Sequence, residues 1–316
     1  MSEDDGLEEL ITEEMLWDRI PEVEGEERAS TYYELSARIY ARGQYDEALA
    51  LAETARDIYS QLGEAAPSEG LAQAYSAIGY NLNQLKRMDE AALAMSKAVE
   101  LLRENKSPIA LELACTLGEW WYTSKQYDKV VETMNECAQE HLVDGNDIGA
   151  ANDLHLIGCA ERELKNYEKA IESFKEARIL FKRSKEVIHV ARCDQKIASC
   201  LIELGQGELA LETARKAVDV FETGHDHRRE TFASFEYGKA QILLEKYDDG
   251  LATLENVLAV VSEDEPKDFE FIVDLESRIA KIFRMQGRGE EADEIERRLK
   301  SVQEALEDEP ERDLLT

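Results

Sequence analysis

Apolar and polar positions follow a helical rhythm that recurs about every forty residues along the chain. Each recurrence places a small residue shortly after an acidic one, as in GQYDEALALAETA at 43–55 and KNYEKAIESFKEA at 165–177. We use this small residue as the marker of a repeat, and successive markers lie 39 to 43 residues apart. The markers are Ala48, Ala91, Val130, Ala170, Ala210, Gly250 and Ala292. Spacing this even over seven occurrences predicts an array of seven structural repeats.

Two further small positions define what each repeat is made of. One lies twelve residues before the marker and directly after a bulky residue, as in Ile157–Gly158, and the other usually lies seven residues after it, as at Ala177. A spacing of seven keeps two residues on one face of a helix. Helices that face each other through small residues can pack closely, so each repeat is predicted to be a hairpin: helix A, a tight turn and helix B. Gly205 lies at such a turn, where glycine permits positive φ.

Composition supports a helical fold and limits the partners. The 316 residues include only five prolines, and 43% are hydrophobic, which is enough to build a core. The 69 Asp and Glu residues outnumber the 37 Lys and Arg residues and give a net charge of −32. An acidic surface repels phosphate backbones and anionic membrane surfaces, so we expect no nucleic-acid and no membrane partner. The acidic N-terminus lacks the pattern of a signal peptide, and we therefore expect a cytoplasmic protein.

Chemistry-bearing motifs give no sign of an active site. Five cysteines without a CxxC pair are interpreted as free thiols. His225-Asp226-His227 falls between repeats and is interpreted as a surface loop, and no phosphate-binding loop or nucleophile motif is visible. We expect no catalytic residues, no metal and no cofactor.

The repeat resembles the tetratricopeptide repeat. The fourth repeat carries the matching positions most clearly: Leu154, Ile157, Gly158, Tyr167, Ala170, Phe174 and Ala177. The period near 40 is longer than the family's 34 and is similar to that of kinesin light chain and of Rap-type bacterial peptide receptors. The resemblance implies an all-α fold, a right-handed superhelical solenoid of seven helical hairpins with helical extensions at both ends.

The expected organisation has three parts. An acidic amphipathic segment, 1–29, precedes the repeat domain at 30–300, and an acidic tail occupies 301–316. Within the first segment, apolar positions suit a helix that either caps the first repeat or binds a partner. They are Leu7, Leu10, Ile11, Met15, Leu16, Trp17 and Ile20.

The resemblance also implies that helix A residues line a concave, peptide-binding groove. In the first three repeats these positions are mainly aromatic or amide-bearing: Tyr33, Tyr40, Tyr80, Asn83, Gln84, Glu119 and Tyr122. In the last four repeats five of the ten positions are Lys or Arg, and the ten are Asn152, His155, Arg162, Arg192, Gln195, Ser199, Phe235, Lys239, Lys281 and Arg284. Arginine forks suit carboxylates, so the groove is interpreted as a site for an acidic segment or a C-terminus. The alternative is that these bases are solvated or paired with nearby acids.

Three functions remain open from the sequence. The first is a non-catalytic scaffold or adaptor that binds a segment of a partner protein in the groove. The second is a Rap-like regulator whose superhelix changes shape when it binds a signalling peptide. The third is an enzyme, for which we find no constellation of residues.

Overall fold

The described part of the chain is built from α-helices. The computed structural model describes residues 12–63, 68–263 and 268–308, and the side chains as far as residue 300. These residues form fifteen α-helices and one short 3-10 helix, and no strand occurs among them. The prediction of an all-α repeat fold with seven helical hairpins is confirmed.

The chain divides into two compact units after Asn146. The first unit contains a short N-terminal helix, a 3-10 helix and three hairpins. Its elements are α1 (Glu13–Arg19), the 3-10 helix (Ile20–Glu22), α2 (Gly25–Ala41), α3 (Tyr45–Leu62), α4 (Ser68–Gln84), α5 (Met88–Glu104), α6 (Ala110–Thr123) and α7 (Tyr127–Val143).

The second unit contains four hairpins. Its elements are α8 (Asp147–Glu163), α9 (Tyr167–Arg183), α10 (Val187–Glu203), α11 (Gly207–Thr223), α12 (His227–Leu243), α13 (Tyr247–Glu263), α14 (Phe269–Met285) and α15 (Gly289–Asp308). Even-numbered helices from α2 onward are the A helices, and the helix after each is its B helix. Within each unit, every helix packs on the next one along the chain.

The turn between helix A and helix B has the same backbone in every hairpin. Its central residue, five positions before the marker, has positive φ, as at Gly205 and Lys165. In the fourth hairpin the amide of Asn166 donates to the carbonyl of Glu161 at 2.8 Å, which ends α8, and the amide of Ala170 donates to the carbonyl of Asn166 at 3.0 Å, which begins α9. The turn therefore reverses the chain within a few residues and sets the two helices side by side.

Small residues form the seams between helices, as the sequence predicts. Six of the seven markers are fully buried alanine or valine, and Gly250 is buried too. One core cluster of the second unit joins three consecutive helices: Ala150 and Ala151 of α8, Phe181 of α9 and Cys193 of α10. Each hairpin thus completes the core of its neighbour, which is why such repeats are stable only as an array.

The N-terminal helix closes the apolar end of the first hairpin. Leu16 of α1 is fully buried, and with Ile20 it packs in one cluster with Leu35 and Ile39 of α2. Trp17 on the same helix is 43% exposed. Leu7, Leu10 and Ile11 lie outside the described residues, as do residues 309–316 of the tail. Helix α15 continues past residue 300 to Asp308.

Candidate functional site

The A helices of the second unit present one shared face. Helix α10 contacts both α8 and α12, the A helices of the hairpins before and after its own. Because α10 lies next to both α8 and α12, a ligand on this face can contact side chains of α10 and of a neighbouring A helix at the same time. The candidate site is this A-helix face.

A groove of about 290 Å³ opens on this face between α10, α12 and α14. Most of its wall is apolar, and two of the apolar side chains, Leu243 and Met285, are 39% and 62% exposed. The lining residues are Ile202, Glu203, Lys239, Ile242, Leu243, Arg278, Lys281, Ile282 and Met285. Exposed bulky apolar side chains beside cations are a surface that can bind an amphipathic segment.

Two of the groove's cations, Lys239 and Arg278, lie near the aromatic ring of Phe235. Lys239 Nζ lies 5.1 Å from the ring centroid of Phe235 and 2.9 Å from Glu236 Oε2. The guanidinium of Arg278 lies 5.6 Å from the same ring and pairs with Asp274 at 2.9 Å. Lys281, in contrast, is exposed and forms no ion pair within the described residues. The groove therefore has one cation available to a ligand without the loss of an existing contact.

A second group of cations lies further along the same face, on α8 and α10. Arg192 and Lys196 are one turn apart on α10, and both are partly buried. Burial, followed by the nearby charge of Arg162, lowers the pKa of Lys196. His155 of α8 has a pKa lowered to about 3, first by burial and then by Arg192 and Lys196. His155 is therefore neutral near pH 7.

In the first unit, the predicted residues form an aromatic row on the A helices. The amide of Gln84 donates to the hydroxyl of Tyr40 at 3.1 Å, and Tyr80 meets Trp120 edge to face at 5.5 Å. Tyr33 lies apart from this row, in a core cluster with Tyr59, and burial raises its pKa. Of the remaining predicted residues of this unit, Asn83 and Tyr122 are partly buried and Glu119 is exposed.

The second unit brings together only some of its predicted residues. Lys239 and Lys281 line the groove, Arg162 and Arg192 belong to the second cation group, and the neutral His155 lies beside that group. The other five are distributed as follows: Asn152 is exposed, Gln195 and Ser199 are partly buried, Phe235 is 8% exposed within the core, and Arg284 pairs with Asp293 and Glu296 of α15.

Sequence reasoning missed Lys196, Arg278 and the exposed apolar side chains of the groove. Lys196 follows Arg192 by four residues, a spacing that places both on one helix face. That spacing was available from the sequence. The apolar wall was not, because Ile202, Leu243 and Met285 come from three helices whose ends meet only in the folded unit.

Comparison with known proteins agrees with this architecture. A family model of the tetratricopeptide repeat matches residues 72–105, in the first unit, and 154–177, in the second. No curated protein matches the chain. Among the described residues, no helix combines the length and apolar character that a membrane span requires.

Several solved structures share the fold at low sequence identity. A signal transduction ATPase with numerous domains (STAND) protein with a tetratricopeptide repeat sensor, from Pyrococcus horikoshii, aligns with a TM-score of 0.65 and 16% identity over 94% of this chain. The chain spans 45% of that protein's length. The apo form of RapI aligns at 0.56 and 15% identity over 89% of this chain and 99% of its own. BtubC from P. vanneervenii aligns at 0.59 and 16% identity over 70% of this chain and 92% of its own.

Proposed function

Because the chain carries tetratricopeptide repeats in both of its units, we propose that it is a non-catalytic scaffold that binds an acidic segment of a partner protein. The segment would lie on the A-helix face of the second unit, with the groove between α10, α12 and α14 as its anchor. The observation that carries the proposal is this groove: an apolar wall with an available cation, Lys281, on its rim.

The charge of the protein makes the groove selective. A chain with net charge −32 repels an acidic ligand over most of its surface, but exposed charges are screened beyond about 8 Å at physiological salt. The charges that line the groove therefore decide which ligand approaches it closely, and its three cations outnumber its one acid, Glu203. Lys239 and Arg278 keep their charge near the ligand while paired with Glu236 and Asp274, and Lys281 supplies a charge that has no partner among the described residues.

The apolar wall supplies the other half of the affinity. A ligand that covers the exposed parts of Leu243 and Met285 removes apolar surface from water. This burial stabilises the complex by about 25 cal/mol for each Å² that is covered. An acidic segment with one bulky apolar residue satisfies both parts of the groove. A purely acidic segment leaves the apolar wall uncovered, and a basic one meets Lys281 and Lys239.

Fluorescence anisotropy with a labelled ten-residue peptide of Asp, Glu and one Leu tests the proposal. The wild-type protein is expected to bind it, and to ignore a peptide in which every acid is replaced by Lys. The double variant Lys281→Glu, Met285→Glu is expected to bind at least about tenfold more weakly, which corresponds to about 1.4 kcal/mol.

Helix α9 offers a matched control. Lys175 and Ile179 have the same spacing of four residues, are exposed like Lys281 and Met285, and lie on a B helix away from the groove. Lys175→Glu with Ile179→Glu makes the same change of charge and hydrophobicity and is expected to leave the affinity within about twofold. Equal losses in both double variants, or no binding by the wild type, would contradict the proposal.

The Rap-like regulator makes a different prediction for the same complex. A regulator changes shape on binding, so small-angle scattering at saturating peptide would give a changed radius of gyration. A scaffold keeps its radius of gyration. We include this alternative because the structural alignment covers 99% of RapI, although the similarity is one of fold alone.

A further inference from the structure

Arg192 and Lys196 are an unusual pair in this acidic protein. They lie one turn apart on α10, both are partly buried, and neither forms an ion pair or hydrogen bond within the described residues. Nearby arginines on α9 are paired: Arg178 with Asp194 at 2.5 Å and Arg183 with Asp147. Arg192 and Lys196 therefore differ from these two arginines, each of which forms an ion pair with an aspartate.

The groups around this pair add donors and no free acid. Arg162 of α8 is close enough to lower the pKa of Lys196, and its own ion-pair partner is Glu163 at 2.7 Å. Glu236, the other acid near Lys196, is engaged by Lys239. Within the part of the chain that the structure describes, Arg192 and Lys196 have no acid of their own as a partner.

His155 lies close to this pair as a neutral ring. Its Nδ1 lies 3.8 Å from the Cys159 sulfur, and burial raises the pKa of that thiol, so the thiol keeps its proton. A thiol that donates to Nδ1 leaves the ring proton on Nε2. Nε2 is buried and has no hydrogen-bond partner in the part of the chain that the structure describes, which is costly for a polar group.

Like charges one helical turn apart destabilise a helix, and partial burial weakens the screening that water provides. An anion that binds between Arg192 and Lys196 relieves the repulsion between the two charges, which partial burial strengthens. We propose that Arg192 and Lys196, beside Arg162 and His155, bind a dianionic phosphoryl group carried by a phosphorylated side chain of the partner segment. This inference rests on the proposed function.

A phosphoryl group fits this pair better than a single carboxylate. It carries about −1.5 to −2 charges near neutral pH and three terminal oxygens, whereas a carboxylate neutralises only one of the two cations. The guanidinium of Arg192 can hold two oxygens as a fork, and the ammonium of Lys196 acts as a point charge on the third.

The register of α10 fixes where the phosphorylated residue would lie in the segment. The midpoint between Arg192 and Lys196 is eight residues before Ile202, which lines the groove, and a helix rises 1.5 Å per residue. The separation along the helix is thus about 12 Å. An extended peptide covers that distance in about three to four residues. The phosphorylated residue should be three or four positions from the apolar residue that occupies the groove.

A peptide series tests this arrangement by anisotropy. Three versions of the acidic peptide carry serine, phosphoserine or glutamate four residues from its leucine. With the wild-type protein, the phosphoserine peptide is expected to bind at least about tenfold more tightly than the serine peptide, and the glutamate peptide to gain less. Moving the phosphoserine next to the leucine should remove the gain.

The variant Arg192→Gln, Lys196→Gln is expected to lose the gain from phosphorylation, so that it binds the phosphoserine peptide and the serine peptide with the same affinity. Lys175→Gln with Lys182→Gln, two exposed lysines of α9, removes the same charge and should keep the gain. Circular dichroism and the thermal midpoint establish that each variant is folded.

The outcomes separate the two proposals. If no acidic peptide binds, the proposed function fails. If the serine peptide binds and phosphoserine adds nothing, or if the glutamine variant keeps the gain, the phosphoryl inference alone is overturned. Inorganic phosphate is the remaining arm: a rise of the thermal midpoint in 10 mM phosphate for wild type and not for the variant, without a gain from phosphoserine, would overturn the assignment to a partner segment in favour of a free anion.

Discussion

Gly158 of α8 faces the ring of Phe174 of α9 with no room for a side chain between them. An alanine Cβ at Gly158 would lie 2.7 Å from Phe174 Cε1, and the ring is fully buried. The sixth hairpin repeats the relationship with Gly238 and Leu254, at 2.9 Å from Cδ2. At the equivalent positions of the fifth hairpin, two alanines, Ala198 and Ala214, are both fully buried. A bulky side chain on helix B thus faces a glycine on helix A, whereas an alanine on helix B faces an alanine on helix A.

This relationship predicts that Gly158→Ala destabilises the protein even though alanine favours helices. Alanine gains about 1 kcal/mol over glycine in a helix interior, whereas overpacking a closed core costs about 1–3 kcal/mol. Phe174→Ala alone should cost about 3–5 kcal/mol through the cavity it leaves. The double variant copies the alanine pair of the fifth hairpin and should lose less than the sum. Urea denaturation of all four proteins measures the coupling, and additive effects would show that the two positions do not share volume.

Much of the hairpin architecture could be predicted from such positions. The marker alanines and the glycines before them are determined by contacts within one hairpin, so a sequence window of about forty residues contains both partners of each contact. The turn before helix B is equally local, since its positive φ at Gly205 or Lys165 depends only on neighbouring residues. For this reason the observed hairpins agree with the hairpins that the repeat pattern predicts.

The site depended on partners that lie in other hairpins. Phe235 occupies a helix A position that the family resemblance assigns to the groove, but its ring packs on Phe271, which comes from the following hairpin, at 5.0 Å between centroids. Arg284 pairs with Asp293 of α15, the B helix of its own hairpin, so both partners of this contact lie within one repeat. An aromatic side chain such as Phe235 can point toward the groove or toward the following hairpin, and only the neighbouring repeat determines which.

The N-terminal helix should matter for stability through Leu16. This side chain is fully buried against the first hairpin, so Leu16→Ala is expected to cost about 2–5 kcal/mol. Trp17 is its immediate neighbour and 43% exposed, and Trp17→Ala should change stability by less than about 1 kcal/mol. Thermal unfolding compares the two variants. A larger loss for Trp17→Ala would indicate that the outward face of α1, rather than its buried face, stabilises the fold.

A cleft lined by α11, α12 and α13 lies where one hairpin junction lacks the ion pair of the junction before it. Between the fourth and fifth hairpins, Arg178 and Asp194 pair at 2.5 Å. At the next junction the equivalent residues are Val218 and Ser234, and both line an open cleft of about 400 Å³. Introducing the pair as Val218→Arg with Ser234→Asp should therefore give a double variant more stable than the two single changes predict.

The expected coupling is about 0.5–3 kcal/mol in favour of the pair, the range for residues in direct contact. Ser234→Asp alone should be the least stable of the four proteins, because it leaves a partly buried carboxylate without a partner. A double-mutant cycle by urea denaturation measures the coupling. If the effects add, the two junctions do not have the same geometry.

Mild acid should destabilise the protein through His155. Its pKa of about 3 in the folded state lies below the ordinary value of 6.5, so unfolding allows it to take up a proton once the pH falls below about 6.5. The stabilising contribution is complete above that pH and is lost progressively as the pH falls toward 3. Between pH 7.5 and 5.5, this one residue should lower the free energy of unfolding by about 1.4 kcal/mol, since one proton is taken up on unfolding.

His155→Gln is the informative variant, because the equivalent position of the fifth hairpin is Gln195 and the repeat accommodates that side chain. The variant should lose about 1.4 kcal/mol less than wild type over the same pH interval. His227→Gln makes the same substitution at an exposed position and is the matched control. Urea denaturation at pH 7.5, 6.5 and 5.5 gives the three slopes. Parallel slopes for wild type and His155→Gln would mean that the ring of His155 reaches water and takes up its proton in the folded state.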